Sequence, residues 1–301
     1  MLKRTLLFGS PGRLFLENTL LTYETNGKGT PVEKHHFPVE DIGVVLLESL
    51  QITVTTACLN ALAKENVALI VCDQTHTPVA AIQPYTGNTL TQRATEAQLN
   101  ASDALKGRLW RQTVAAKIRN QAQCLSRLGL PDKRLRVLAD SVKNADSENA
   151  EGVAARVYFQ LLTEGSCFTR CRDGIPPNHA LNYGYAILRA AVARALIGSG
   201  LLCVVGIHHA NQYNPFCLAD DIMEPYRPFV DEIVFSSCDF FSEPELGKQQ
   251  KAKLLSGLVC DVMIGTEKRP LMNALSYTTA SLVRCYMKEE KQIRYPEFPG
   301  T

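Results

Sequence analysis

The chain has 301 residues, of which 46% are hydrophobic, and a formal net charge of +2. This length exceeds the commonest size of one domain and favours two. No apolar run approaches the roughly 20 residues of a membrane-spanning helix, and the N-terminal stretch mixes charges and glycines into its apolar residues, unlike a signal peptide. These features exclude a membrane protein and predict a cytoplasmic one.

The ten cysteines support the same compartment. None forms a C-x-x-C pair, and Cys167 and Cys171, the closest two, are separated by three residues. This spacing is poor for a structural zinc site. We therefore expect reduced thiols, mostly buried, as in cytosolic proteins.

The first 85 or so residues have the pattern of β-structure, with period-2 alternation and β-branched residues between turn signals. A short helix is predicted over residues 53–65. Strands are predicted over residues 13–17, 20–24, 39–47, 67–72 and 79–82. Residues 1–88 are therefore interpreted as a small β-rich, sandwich-like domain.

Composition changes from Thr91 onward, where the chain becomes rich in alanine and charge. Apolar residues recur every three or four positions and form one stripe of a helix that ends at Gly129 and Pro131; they are Trp110, Val114, Ile118, Ala122 and Leu125. Ten Lys or Arg residues lie between Ala104 and Lys143, against two acids. This basic flank is a candidate DNA surface, or else a solvated helix face.

Further helices are predicted after this one. Glu151 lies near the start of a helix, where the dipole favours a carboxylate, and a metal-ligand role is the alternative. A long helix is predicted from Pro177 to about Leu196, and residues 229–286 are predicted to be helical around a polar loop. The tail from Arg294, with two prolines, is predicted to be loose. Residues 89–301 are thus interpreted as a larger all-α domain, and the fold class as α+β.

The segment from Gly206 to Asp231 concentrates groups that bind metals. Asp221 and Glu224 are three residues apart, which places them on one face of a helix, and a histidine from the preceding loop could join them. Carboxylates suit Mg²⁺ or Mn²⁺, and Mn²⁺ tolerates imidazole better. Pro225 predicts a bend or a new helix at this point. The pattern indicates a metal site for phosphodiester chemistry.

Three segments in this order resemble one family, the CRISPR-associated Cas1 proteins, which are the integrases of spacer acquisition. The resemblance covers essentially the whole chain, and its wording is closest to the type II branch. The segments are residues 151–159 (EGVAARVYF), residues 182–188 (NYGYAIL), and residues 206–209 (GIHH) with 218–228 (LADDIMEPYRP) and Val230-Asp231.

The resemblance implies a site built from Glu151, His209 and Glu224, which would be both catalytic and metal-binding, with Mg²⁺ or Mn²⁺. Asp221 would be a ligand, a group that holds a ligand, or a position holding water. His208 is an alternative to His209, because adjacent residues point differently. Asp220 is interpreted as a solvated or capping acid.

The implied reaction is attack of the 3′-hydroxyl of a short DNA fragment on a phosphodiester at the edge of a CRISPR repeat, with endonuclease activity when water replaces the hydroxyl. Lys117, Arg119 and Arg227 are candidate phosphate contacts. Asn182 and Tyr183 are candidates for contact with the reacting strand, and helix packing is their alternative.

The resemblance also implies partners. These are double-stranded DNA (fragment and repeat), a second copy of the chain joined through the β-rich domains, the small Cas2 protein, and in a type II system Cas9 and an adaptor. Two other functions remain open: a metal-dependent nuclease of repair or recombination without integration, and a DNA-binding adaptor without an active site.

Overall fold

The computed structural model describes residues 4–26, 32–74, 78–82, 90–163, 170, 176–242 and 245–300. The chain forms two compact units, Met1–Gly87 and Asn88–Thr301. The fold is mixed, with strands concentrated in the first unit and helices in the second, as predicted. No helix in the described ranges is long and apolar enough to span a bilayer.

The described part of the first unit contains two four-stranded sheets. One has the order β1-β5-β7-β8, in which the first three strands are parallel and β8 is antiparallel to β7. The other has the order β4-β3-β2-β6, in which only β6 pairs in parallel. The strands are β1 (Arg4–Phe8), β2 (Gly12–Glu17), β3 (Leu20–Thr25), β4 (Lys34–Pro38), β5 (Ile42–Leu47), β6 (Ile52–Val54), β7 (Ala68–Cys72) and β8 (Pro78–Ile82).

Both sheets bury side chains in one core, together with helix α1 (Thr56–Lys64). Leu14 and Leu21 come from one sheet, Ile42 and Leu69 from the other, and Leu62 from the helix. All six residues of β5 are buried, which matches the continuous apolar run of this central parallel strand. The predicted strand from Val39 is shorter, because residues 39–41 form a 3-10 turn.

The second unit is mainly helical in its described residues. Its helices are α2 (Thr91–Leu99), α3 (Asp103–Arg127), α4 (Lys133–Ser141), α5 (Ala150–Leu162), α6 (Asn178–Gly198), α7 (Cys217–Met223), α8 (Arg227–Phe235), α9 (Asp239–Ser242), α10 (Lys248–Gly257) and α11 (Leu271–Tyr286). A 3-10 turn, Glu224–Tyr226, joins α7 to α8. The predicted break near Pro225 is therefore confirmed.

Helix α3 is the central element of this unit. Ser102 caps its start by accepting a hydrogen bond from Leu105 N, and Gly129 follows its end with a positive φ of 74°. The five stripe residues predicted from the sequence are each at most 1% exposed. Helices α4, α5, α7 and α8 all pack on α3. The part of α3 that is left exposed to solvent is therefore smaller than its number of basic residues suggests.

The prediction of an all-helical segment over residues 229–286 is wrong in one place. An antiparallel hairpin of β9 (Asp261–Ile264) and β10 (Glu267–Pro270) turns at Gly265, which has a φ of +63°. Val262 and Ile264 are buried on one side of this hairpin. The period-2 burial of so short a strand is difficult to distinguish from helix in the sequence.

The prediction of a loose C-terminal tail is also wrong. Tyr295 and Phe298 are buried, and the Phe298 ring stacks on Phe229 with centroids 4.1 Å apart. Polar side chains of α3 pair with the tail backbone: Gln112 accepts from Ile293 N, Gln123 accepts from Phe298 N, and Asn120 donates to Pro296 O. The prolines therefore shape an extended segment that is held on the helix.

The eight described cysteines are free thiols, and five are buried, as expected for unpaired residues; the five are Cys58, Cys72, Cys124, Cys217 and Cys285. Cys167 and Cys171, the pair noted in the sequence, lie outside the described residues.

Candidate functional site

Glu151 and Glu224, which are 73 residues apart in sequence, meet around the ammonium group of Lys117. Lys117 Nζ lies 2.6 Å from Glu151 Oε1 and 2.5 Å from Glu224 Oε2. The lysine and Glu224 side chains are 12% and 8% exposed, and that of Glu151 is 25% exposed. Three helical elements, α3, α5 and the 3-10 turn, thus bring two acids to one cation.

Glu151 is positioned by a strained turn before α5. Ala145, Asp146 and Asn149 have φ values of 55°, 49° and 53°, in the left-handed region that non-glycine residues rarely adopt. The Asp146 carboxylate accepts from the backbone N–H groups of Ala150 and Glu151, and Asn149 accepts from Gly152 N. These two residues satisfy the helix start, so the Glu151 carboxylate is left to face Lys117.

Glu224 is the first residue of the 3-10 turn that Pro225 initiates, and Arg227 lies one turn later. Arg227 Nε is 2.9 Å from Glu224 Oε1, so each oxygen of this carboxylate faces a different cation. Burial raises the pKa of Glu224, but the charges of Arg227 and Lys117 outweigh it and hold the pKa at about 2. Glu224 is therefore ionised at neutral pH.

Lys117 is charged as well. Burial lowers its pKa, but the charges of Glu224 and Glu151 more than compensate, so the pKa lies above its ordinary value. Sequence reasoning assigned Lys117 and Arg227 to DNA phosphates, yet both pair with buried or half-buried carboxylates of the site. Their partners lie 3 to 107 residues away in sequence, and no local pattern reveals the longer pairings.

His209 is held by Asp221, which is completely buried. His209 Nδ1 lies 2.6 Å from Asp221 Oδ1, and the same carboxylate accepts from the backbone N–H groups of Ile207, His208 and His209. The hydrogen bond to Asp221 raises the pKa of His209; burial opposes this, and the negative charge of Glu224 adds to it. With Nδ1 engaged by Asp221, Nε2 is the ring nitrogen left available to a ligand.

Gly206 allows the loop to wrap this carboxylate. A Cβ at Gly206 would lie 2.3 Å from His209 O and 2.8 Å from Asp221 Oδ2. Any larger residue would push the loop off Asp221. Steric crowding therefore explains why the Gly206–His209 motif begins with a glycine.

His208, the alternative ligand, has a different environment. Its ring stacks on Trp110 with centroids 4.3 Å apart and planes 5° apart. The Asp221 carboxylate binds its backbone and not its ring. The contacts therefore distinguish the two rings: Asp221 holds that of His209, and Trp110 stacks on that of His208.

Asp221 itself is a poor candidate for direct coordination, because its two oxygens accept four hydrogen bonds. Its geometry matches a group that holds a ligand, one of the three roles left open for it. Asp220, interpreted as a solvated or capping acid, instead accepts from Arg189 and Asn214 at 2.7 Å each. That contact fastens the loop before α7 to helix α6.

The remaining predicted DNA contacts are spread over the unit. Arg119 is half exposed and pairs with Asp140 on α4. Asn182 accepts from Arg170, and Tyr183 is 6% exposed with the Lys251 ammonium over its ring. The packing alternative thus accounts for Tyr183, whereas Asn182 and Arg227 are partly exposed and Arg119 is the most exposed of the five predicted contacts.

Two polar groups near the site were not singled out from the sequence. Asp146 carries the turn before Glu151, and an acid just before a helix is the signal that could have identified it. Asp231 is buried and accepts from Tyr158 at 3.0 Å and from Tyr185. Burial raises the pKa of Asp231 to about 6, although the hydrogen bonds from the two tyrosines act to lower it. Its only sequence signal was its inclusion in the motif.

The donor set suits a divalent cation. Two carboxylates already lie on either side of one positive charge, that of Lys117. Buried Glu224 Oε2 contacts the Lys117 ammonium but forms no properly directed hydrogen bond with it. Within the described ranges, however, no three His, Cys, Asp or Glu side chains are close enough to hold an ion as they stand. Lys117 occupies the space where the carboxylates converge.

Comparison with known proteins identifies the family. The family model described as CRISPR associated protein Cas1 matches residues 6–240. A protein of Neisseria meningitidis serogroup C (strain 8013), named CRISPR-associated endonuclease Cas1, is 37% identical over 298 residues, which cover 98% of this chain and 96% of the relative.

Solved structures share the fold. A casposase bound to integration product superposes with a TM-score of 0.78 at 19% identity, covering 96% of this chain and 92% of that one. A Cas6-RT-Cas1–Cas2 complex gives 0.70 at 20% identity, covering 97% of this chain and 36% of that one. The family model matches most of the chain, and the 37% identity to the Neisseria protein extends over nearly its full length. This chain therefore belongs to the Cas1 family of CRISPR-associated proteins.

Proposed function

We propose that this protein is a metal-dependent integrase of CRISPR adaptation, which inserts short DNA fragments into a repeat array by attack of a 3′-hydroxyl on a repeat phosphodiester. The observation that carries the proposal is the convergence of Glu151 and Glu224 on one cation position, with His209 held by Asp221. The casposase whose structure contains an integration product has the same fold.

In this proposal Glu151, Glu224 and His209 would hold Mg²⁺ or Mn²⁺. The ion, when bound, polarises the phosphoryl oxygens and stabilises the charge that develops on the attacking and leaving oxygens. The protein side chains do the positioning. Asp221 fixes the ring orientation of His209. Arg227 keeps Glu224 ionised, and its guanidinium is itself held over the Tyr185 ring, 4.6 Å from the centroid.

No covalent intermediate with the protein is required, because the DNA hydroxyl is itself the nucleophile. The buried cysteines therefore have no role in this chemistry. Water in place of the hydroxyl would turn the same site into an endonuclease, which agrees with the name of the Neisseria relative.

The proposal includes partners. DNA fragment and repeat are the substrates, and Cas2 is the protein partner, since a neighbour in fold was solved as a Cas1–Cas2 complex. Homodimerisation through the first unit is supported by edge strand β8, where Val79 and Ile82 are 60% and 44% exposed. Work in the prokaryotic cytoplasm, and a type II setting with Cas9 and an adaptor, remain predictions.

The decisive experiment incubates the protein and its Cas2 with supercoiled plasmid carrying a repeat, a labelled double-stranded fragment, and Mg²⁺, Mn²⁺ or EDTA. We expect label joined to the plasmid only with metal, and none with Glu151→Gln or Glu224→Gln. Lys268→Met, which removes an exposed ion pair with Asp261, is the control and should join normally. Joining by either acid variant at the wild-type rate would disprove the proposed site.

The nuclease alternative uses the same site, and the name of the Neisseria relative agrees with it equally well. Nicked plasmid without joined label in the same assay, under every metal condition, would support it. DNA binding without cleavage or joining would instead support the adaptor hypothesis.

A further inference from the structure

The Lys117 ammonium occupies the position that a cation would take between the two carboxylates. It lies 2.6 Å from Glu151 Oε1 and 2.5 Å from Glu224 Oε2, and its side chain is 12% exposed. It comes from the middle of α3, whose neighbouring residues Ala115 and Ile118 are buried. The backbone that carries this charge is therefore fixed, and only the flexible side chain can move.

The spacing of the two oxygens is close to what one metal ion needs. Each oxygen is within 2.6 Å of the nitrogen, so they are at most about 5 Å apart. Two oxygens on opposite sides of Mg²⁺ are separated by about 4 Å, given its bond lengths of 2.0–2.1 Å. Because 5 Å is an upper limit, a contraction of at most about an ångström would let one ion replace the ammonium.

Electrostatics explains why the metal-free chain needs this lysine. Glu224 is buried and Glu151 is partly buried, and two negative charges at this distance repel strongly where water is scarce. Arg227 compensates only the Oε1 side of Glu224. Without Lys117, the charge between the two acids would have no compensation in the absence of metal.

We propose that Lys117 is a positioning residue that acts as an internal stand-in for the metal, so that a divalent ion must displace its ammonium to bind. This inference rests on the proposed function, because it assumes that Glu151 and Glu224 are the ligands. Two consequences follow. The lysine preserves the arrangement of the carboxylates before metal arrives, and it lowers metal affinity by competing for the same oxygens.

The first experiment measures Mn²⁺ binding to the full chain by electron paramagnetic resonance, and thermal unfolding in EDTA and in Mn²⁺. Lys117→Met removes the charge at similar length, and Lys117→Arg retains it. Lys143→Met, which breaks an exposed ion pair, is the matched control. Glu224→Gln reports whether Mn²⁺ binds at this site.

We expect Lys117→Met to bind Mn²⁺ about tenfold or more tightly than wild type, because the competitor is gone and the carboxylates repel. In EDTA, the melting temperature of Lys117→Met should be lower than that of wild type. Mn²⁺ should raise the melting temperature of Lys117→Met by more than it raises that of wild type. Lys117→Arg and Lys143→Met should bind no more tightly than wild type. Equal or weaker Mn²⁺ binding by a folded Lys117→Met would overturn the inference.

The second experiment uses the wild-type chain and so does not depend on the variant folding. An amine-reactive label is applied with and without Mn²⁺, and modification of Lys117 is quantified by mass spectrometry. Displacement of the ammonium predicts a several-fold rise in labelling of Lys117 with Mn²⁺, and no change at Lys143. Unchanged labelling while Mn²⁺ is bound would also overturn the inference.

The failure of this inference differs from that of the proposed function. If wild type binds Mn²⁺, Glu224→Gln abolishes the binding, and Lys117→Met gains nothing, the metal site stands and the stand-in role is wrong. If neither wild type nor Lys117→Met binds Mn²⁺ in a Glu224-dependent way, the metal site is wrong and the stand-in role fails with it.

Discussion

His209 Nδ1 and Asp221 Oδ1 lie 2.6 Å apart, and the carboxylate that holds the ring also holds the backbone of the loop that carries it. One buried side chain thus sets both the path of residues 207–209 and the orientation of the imidazole. A histidine fixed at Nδ1 presents Nε2 in a defined direction, as ligands to catalytic metals do.

Asp221→Asn should reduce DNA joining by about 10- to 100-fold, the usual effect of losing a group that orients a metal ligand. The amide places an NH₂ group against N–H donors, so it cannot replace all four accepted bonds. Joining assays at saturating Mn²⁺ measure the loss. Asp220→Asn, next in sequence but paired with Arg189, should lose less. Equal losses would indicate general destabilisation of α7 and not a specific role for Asp221.

Gly206→Ala should be destabilising, because its Cβ would lie 2.3 Å from His209 O and 2.8 Å from Asp221 Oδ2. Overpacking of this kind costs about 1–3 kcal/mol. Joining should fall with it, since the shift displaces His209. Gly247→Ala is the comparison, because its Cβ would meet only Gln250 Oε1 at 3.5 Å. Denaturant unfolding measures both, and a Gly206→Ala variant as stable as Gly247→Ala would contradict the crowding argument.

We expect the free energy of unfolding of the protein to depend on pH through Asp231. Burial raises its pKa from 3.8 to about 6, so between these values the folded chain binds a proton that the unfolded chain has lost. Its contribution is therefore favourable below about pH 4 and falls as pH rises to about 6, by roughly 2–3 kcal/mol in all. Asp231→Asn lacks this dependence.

The measurement is the unfolding free energy of wild type minus that of Asp231→Asn, at several pH values from 4 to 7.5. We expect this difference to become less favourable to wild type up to about pH 6 and then to level off. Val137→Ala, a change at an exposed side chain that does not titrate, should give a flat difference. A difference that increases with pH would mean that the tyrosines and Arg227 stabilise the carboxylate more than burial destabilises it.

Phe298→Ala tests the packing of the C-terminal tail. Its ring is 6% exposed, stacks on Phe229 at 4.1 Å and lies under the Arg127 guanidinium. Truncation of such a buried ring costs about 3–5 kcal/mol. Tyr213→Ala, at a side chain that is 84% exposed, should cost less than about 0.5 kcal/mol. Similar unfolding midpoints for the two variants would show that the tail does not contribute to the core.

Local patterns were enough for several features of this protein. The spacing from Trp110 to Leu125 identified the buried face of α3, the positions of Gly129 and Pro131 gave its end, and Pro225 marked the break between α7 and α8. The order of the three motifs was also enough to indicate the family. The first three of these signals depend on residues within a few turns of one another, where helix geometry relates spacing to position.

Only the tertiary structure decided which charges meet. Lys117 lies in a basic stretch and was assigned to DNA, but its ammonium lies between acids 34 and 107 residues away. Asp220 and Asp221 are neighbours with similar local signals, yet one holds Arg189 and the other holds His209. The tail's prolines suggested disorder until α3 supplied its hydrogen-bond partners. The energy of an ion pair or a buried ring depends on partners that the chain brings together only when it folds, and spacing along the sequence carries no information about them.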